Sequence, residues 1–164
     1  MWWRWLVVLA SLLGCTACGA VISSQVRELV DPTLSYPQVA ARPEAYVGKV
    51  IIVAGTIIEA VNTLEGTRLV LLQYPADSRG RPQTDVPSGG RLLVLTPDYL
   101  ETAIYRPGRA LTVAGEVQGQ RELPIGETTY RYPLLVLREL YLWPERGGFP
   151  QFHIGFGFGI SKSL

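Results

Sequence analysis

Three kinds of residue in this chain could do chemistry: two thiols, one imidazole, and a set of tyrosines with an arginine among them. The imidazole, His153, stands in a stretch of glycine and aromatic residues. A histidine acts as a base beside a nucleophile and an orienting group, or as a metal ligand beside companions. The sequence supplies His153 with neither, so it forms no triad and no metal set. Asp77 and Asp85 flank Arg79 and Arg81 in a polar stretch. A working acid–base pair needs a cleft that drives two pKa values apart, and carboxylates in an open loop read as solvated. Gly108 and Gly115 lie around a strand pattern and not at a helix start, so they make no phosphate cradle. Ser88-Gly89-Gly90 reads as turn chemistry. Tyr74, Arg91, Tyr99 and Tyr105 are the better lead, because stacking aromatics with one guanidinium at a common mouth could grip a sugar or a peptide. Core packing or surface placement is the more ordinary role of amphipathic tyrosines. No catalytic residue, no metal site and no enzymatic activity are expected.

The elements that would position these residues are strands. Gly48-Lys49-Val50-Ile51-Ile52-Val53-Ala54-Gly55-Thr56-Ile57 recurs, degraded, as Gly108-Arg109-Ala110-Leu111-Thr112-Val113-Ala114-Gly115-Glu116-Val117. In the second copy Leu111, Val113 and Val117 alternate with Thr112, Glu116 and Gln118, the period of a strand with one wet face. Aligning the copies turns Ile51, Val53 and Ile57 inward, and with them Gly55 and Gly115. A glycine inside a strand marks a sharp bend or a close backbone approach, as at a barrel corner. Ile52 and Ile58 fall on the outer face of the first copy, so some other segment must cover it; the N-terminal stretch is the nearest.

Around this repeat the chain reads as strands over about 49–61, 67–74, 91–95, 109–118 and 130–143. Asn62–Gly66 is a hairpin turn, and Pro75–Gly90 and Gln120–Thr129 are polar loops. Thr96-Pro97-Asp98 offers a cap, Pro at the first helical position and an early acid, which predicts a short helix ending near Tyr105. Pro133 marks an edge position or a bulge in the last strand. Three strands, a short helix and two strands is the order of the OB-fold, a five-stranded Greek-key barrel. The fold class is therefore mainly β, with a small β-sandwich as the alternative. OB-folds take ligands on the face of strands two and three, beside which the tyrosine set would lie.

Composition agrees with one domain and its attachments. The 164 residues are 48% hydrophobic, with 17 Gly and 12 Pro, as suits a turn-rich β protein. Fifteen basic against fourteen acidic residues leave a net charge of +1, too little to build a field that attracts nucleic acid. Cys15 and Cys18 both lie near the N-terminus, so the body holds no disulfide and no cysteine metal site. Met1–Trp5 carries one positive charge, Leu6–Leu13 is apolar, and Gly14-Cys15 follows. This is the build of a secretory signal, with an apolar run shorter than the ~20 residues that span a bilayer.

Leu12-Leu13-Gly14-Cys15 resembles the bacterial lipobox, whose cysteine is diacylated and becomes the new N-terminus. Cys18, preceded by Cys15-Thr16-Ala17, is the second choice. Thr16, in place of Asp, resembles the pattern forwarded to the outer membrane. Residues 1–14 then read as signal, with an N-terminal signal helix, 15–34 as a tether, 35–146 as the barrel and 147–164 as a Gly/Phe-rich tail. Pro43-Glu44-Ala45-Tyr46-Val47-Gly48-Lys49, Val53-Ala54-Gly55, Tyr105-Arg106-Pro107-Gly108-Arg109, Val113-Ala114-Gly115, and Tyr132-Pro133 leading to Glu139-Leu140-Tyr141-Leu142-Trp143-Pro144 complete a pattern. Together these pieces resemble the Slp-type outer-membrane lipoproteins of Gram-negative bacteria, named for a starvation-inducible member. The resemblance implies an acylated, non-enzymatic protein on the periplasmic face of the outer membrane. Its partners would be outer-membrane lipid, transiently the lipoprotein sorting machinery, and an envelope protein. No cofactor is implied beyond a diacylglycerol and an N-acyl chain on Cys15. A periplasmic OB domain binding an oligosaccharide or peptide is the alternative.

Overall fold

The computed structural model describes residues 20–145. The signal, Cys15, Cys18, His153 and the tail lie outside the described residues. Five strands follow one another: β1 (Val50–Thr63), β2 (Gly66–Tyr74), β3 (Gly90–Thr96), β4 (Ala110–Ile125) and β5 (Thr128–Leu142). Two short helices, α1 (Ser24–Arg27) and α2 (Tyr36–Ala41), and a 3-10 turn at Pro43–Tyr46 precede β1. The sheet closes as a barrel in the order β1-β2-β3-β5-β4. β3 and β5 pair in parallel and the other neighbours antiparallel, so β5 returns between β3 and β4. This is an OB-like Greek-key barrel.

The repeat forms the β1–β4 pair, with Ile51 opposite Gly115 and Gly55 opposite Leu111. Ile51, Val53, Ile57, Leu111, Val113 and Val117 all enter the main core, where they meet Leu69, Leu71, Leu92, Val94 and Leu135. Each such burial is worth about 1.5–3 kcal/mol. The inward glycines sit at close approaches. A Cβ on Gly55 would lie 2.6 Å from the carbonyl oxygen of Leu72, and one on Gly115 would lie 3.0 Å from Cβ of Leu135. Pro133, opposite Gln120, stands where the β4–β5 register shifts, the bulge its ring requires.

Several expectations change. The segment Thr96–Tyr105 is not a helix but a series of bends and turns. Thr96 stays in the sheet opposite Thr67 and still caps Asp98, but the Leu100 N–H, which a helix would turn back to the Thr96 carbonyl, is taken by Thr67. Asp98 N–H donates to Thr96 Oγ1 at 3.2 Å and Leu100 N–H to Thr67 Oγ1 at 2.8 Å. The helix that packs on the main core is α2, ahead of β1, which buries Tyr36 and Val39.

Gln120–Thr129 is no loop. β4 and β5 continue through it as a hairpin arm with Gly126 and Glu127 at its tip. From residue 20 onward the stretch expected as a tether is folded onto the barrel: Ile22 is buried, Ser23 Oγ donates to Glu139 at 2.6 Å, and Val30 bridges Val50. Beyond the Val50 bridge it does not cover the outer face of β1 as expected: Ile52 stays exposed, and Ile58 packs against the cluster of Val70, Leu93, Tyr132 and Leu134 instead. Finally, Thr112 is buried rather than wet, because the Pro75–Gly90 loop lies over it.

Candidate functional site

Tyr74 and Arg91 come together and Tyr99 does not join them. Tyr74 ends β2, half-buried, and Arg91 lies opposite Leu72 near the start of β3. Tyr99 follows the other end of β3 and donates its hydroxyl to the Leu64 carbonyl at 3.2 Å. Five residue steps of β3 separate these ends, about 17 Å at strand rise. Tyr105 is half-buried against the main core. The four expected ligand residues therefore do not share one mouth.

At the Arg91 end the polar groups already serve the fold. Tyr36 donates its hydroxyl to the Arg91 carbonyl at 3.0 Å, and Arg91 N–H donates to the Tyr130 hydroxyl at 3.2 Å. Burial, with the neighbouring Tyr130, pushes the Tyr36 phenol well above its ordinary value. Gln73, buried beside Gly89, donates its amide to the Tyr74 carbonyl at 2.8 Å. Tyr36 and Tyr130 escape sequence reasoning because each contact joins residues tens of positions apart.

The outer face of β2 and β3, where OB-folds take ligands, carries a second apolar core. Val70 and Leu93 are buried there with Tyr132 and Leu134. Leu123, Ile125 and Tyr130 of the β4–β5 arm pack against them. Tyr130 and Tyr132 meet edge to face with ring centroids 4.8 Å apart. The aromatic platform of this barrel is thus engaged with its own arm. Beside it remains a cleft of about 510 Å3, bounded by Leu64, Arg68, Leu95, Pro97, Arg121 and Val136.

A second cleft, of about 370 Å3, opens at the other side of the barrel, where Arg81, Arg106, Arg109, Trp143 and Glu145 meet. Its wall is built by a hydrogen-bonded relay. Trp143 Nε1 donates to Thr112 Oγ1 at 2.9 Å, and Thr112 Oγ1 donates to the Gly80 carbonyl at 2.6 Å. Arg81 lies over the Trp143 ring at 5.4 Å and donates to the Pro144 carbonyl at 3.1 Å. Arg106 and Arg109 both reach Glu145. Three guanidiniums around one carboxylate leave the cleft electropositive. Asp77 holds the loop in shape by accepting the N–H groups of Arg79 and Arg81 at 2.9 Å each. Those bonds hold its carboxyl below the ordinary aspartate range. Among the described residues no three of His, Cys, Asp and Glu gather as metal ligands.

The family model described as "Outer membrane lipoprotein Slp family" matches residues 12–152. This chain belongs to that family. It is 29% identical over 112 residues to an uncharacterized lipoprotein, YeaY, of Escherichia coli (strain K12). That match covers 68% of this chain and 58% of the length of YeaY. Among solved structures, the mitochondrial single-stranded DNA binding protein Rim1 of S. cerevisiae is 14% identical, with a TM-score of 0.36 over 57% of this chain and 92% of its own. A small single-stranded DNA-binding protein of Streptomyces coelicolor is 12% identical, at 0.34, over 57% and 92%. Likeness at that level says nothing of what an Slp-family chain binds. Membership makes this protein a lipoprotein of the envelope, at the outer membrane.

Proposed function

We propose that this Slp-family protein is a non-enzymatic interaction module, held by acyl chains on Cys15 to the periplasmic face of the outer membrane. One observation carries the reading: the folded domain takes up its chain at Val21 and Ile22, directly behind the lipobox-like Leu12-Leu13-Gly14-Cys15. A thiol so close to a packed barrel suits an anchor that fixes a rigid body to a surface. Lipid chains contribute ~0.8 kcal/mol per buried CH₂, so more than one chain gives lasting attachment. Sorting machinery meets the protein in transit, and an envelope protein is its working partner. Metabolic fatty-acid labelling followed by membrane fractionation tests the anchor. Wild type takes up label and fractionates with the outer membrane, while Cys15→Ser loses both. Label retained by Cys15→Ser would assign the lipid elsewhere, with Cys18 the next thiol to replace. Crosslinking of the anchored protein then identifies the partner.

A second reading, capture of an oligosaccharide or peptide, is favoured by the cleft between the β1–β2 turn and the β4–β5 arm. Arg68 lines it, and its Nε is buried without a hydrogen-bond partner among the described residues. On that reading Arg121→Ala abolishes binding of acidic glycan fragments while thermal unfolding is unchanged. No measurable binding by wild type removes it.

A further inference from the structure

We propose that the barrel end carrying Arg79, Arg81, Arg106 and Arg109 is the membrane-facing surface, the guanidiniums of Arg79, Arg81 and Arg106 meeting the phosphates of phospholipid headgroups. The inference rests on acylation of Cys15 as argued above. The path of the chain carries it. Ser23 binds Glu139, which pairs with Ala114 of β4. Two residues earlier, a Val21 methyl lies 3.4 Å from the Cβ position of Gly80, whose carbonyl accepts from Thr112. Going backward, the segment therefore runs along β4 from Ala114 to Thr112, toward the start of that strand at Ala110. Only Thr16–Gly19 stand between Ala20 and Cys15. Five residue steps reach at most about 18 Å, so an acylated Cys15 draws this end of the barrel onto the leaflet.

The chemistry of that end fits the contact. Arg79 and Arg106 are exposed, and Arg81 is braced by Trp143 and the Pro144 carbonyl. Arginine's planar fork suits phosphate oxygens in pairs. Of the acids here, Asp77 is occupied by the Arg79 and Arg81 N–H groups, Glu145 sits between Arg106 and Arg109, Glu101 accepts the Ala103 N–H in the turn before Arg106, and Asp85 lies further along the loop. Glu145, the last described residue, is also at this end. The arm tip at Glu127 stands at the far end of β4.

The test places a fluorophore on Ser78→Cys or on Glu127→Cys, both in a Cys18→Ser background of the full acylated protein. Each is reconstituted in phosphatidylethanolamine–phosphatidylglycerol vesicles containing a nitroxide-headgroup lipid. At Ser78→Cys quenching is expected to exceed that at Glu127→Cys severalfold. Adding Arg79→Glu and Arg106→Glu is expected to cut the Ser78→Cys quenching at least twofold while the vesicle-bound fraction holds. Equal quenching at the two positions, or more at the arm tip, overturns the orientation. Insensitivity to the arginine changes overturns the phosphate contact. Loss of vesicle flotation or of fatty-acid label in the unmutated protein would instead be failure of the anchor itself.

Discussion

At the scale of single residues, the barrel turns on a few tight contacts. A Cβ on Gly55 would lie 2.6 Å from a backbone oxygen, a harder clash than on Gly115, where the Leu135 Cβ and the Val136 carbonyl oxygen stand at 3.0 and 3.2 Å. Gly55→Ala should therefore cost about 2–3 kcal/mol and Gly115→Ala about 1 kcal/mol, read as the change in urea midpoint at constant slope. Thr112→Val keeps the shape of the side chain but removes the acceptor for Trp143 Nε1 and the donor to Gly80. A buried donor left unmade costs about 1–3 kcal/mol, and the same variant should speed proteolysis within Pro75–Gly90. Tyr36 gives a pH prediction with a definite sign. Its folded pKa is raised above the ordinary 10.0, so its contribution is complete below pH 10 and is lost as pH rises beyond it. Tyr36→Phe should flatten that alkaline decline in stability, at about 1 kcal/mol lost at neutral pH with the bond to the Arg91 carbonyl. Asp77 has the opposite sign. Its pKa is lowered, so the loop is held above the ordinary aspartate value and loosens as pH falls through the lowered one.

At the scale of elements, the strand repeat was legible because period two and paired glycines are local signals. Ile51, Val53, Ile57, Leu111, Val113 and Val117 could be placed inward from spacing alone, whereas the pairing of the two copies is seen only in the closed sheet. The arm was not legible. Gln120–Thr129 is polar and holds proline and glycine, which by composition marks a loop; its strand character comes from pairing across Gly126-Glu127 and from packing on Val70 and Leu93. The expected helix after β3 failed for a related reason, since Thr67, across the sheet, takes the Leu100 N–H that a helical turn would have used. The ligand set scattered because Arg91 and Tyr99, eight positions apart in sequence, fall at opposite ends of β3. The arm's role can be checked directly. Tyr132→Ala should cost about 3 kcal/mol and raise binding of a hydrophobic dye, as the outer face of β2 and β3 is uncovered.

At the scale of the whole molecule, Val21 and Ile22 are already packed, so on the proposed anchor at Cys15 the barrel is a body on a short leash. Inserting a ten-residue Gly/Ser spacer after Cys18 should leave thermal unfolding and acyl labelling unchanged, because it stands ahead of the contacts made by Val21, Ile22 and Ser23. It adds about 17 Å of flexible reach, so the headgroup quenching at Ser78→Cys should fall toward that at Glu127→Cys.

The sequence by itself determined the lipobox pattern, the family likeness, the mainly β class and the inner face of the two repeated strands. These are carried by neighbours in the chain, where hydrophobic period and residue type act over a few positions. Only the tertiary structure decided that the N-terminal stretch lies against β4 and β5, that the ligand face is covered by the arm, and that Arg81, Arg106 and Arg109 gather around Trp143. Those outcomes depend on which surfaces close over one another when the sheet becomes a ring, and contacts between residues tens of positions apart leave no periodic mark in the chain.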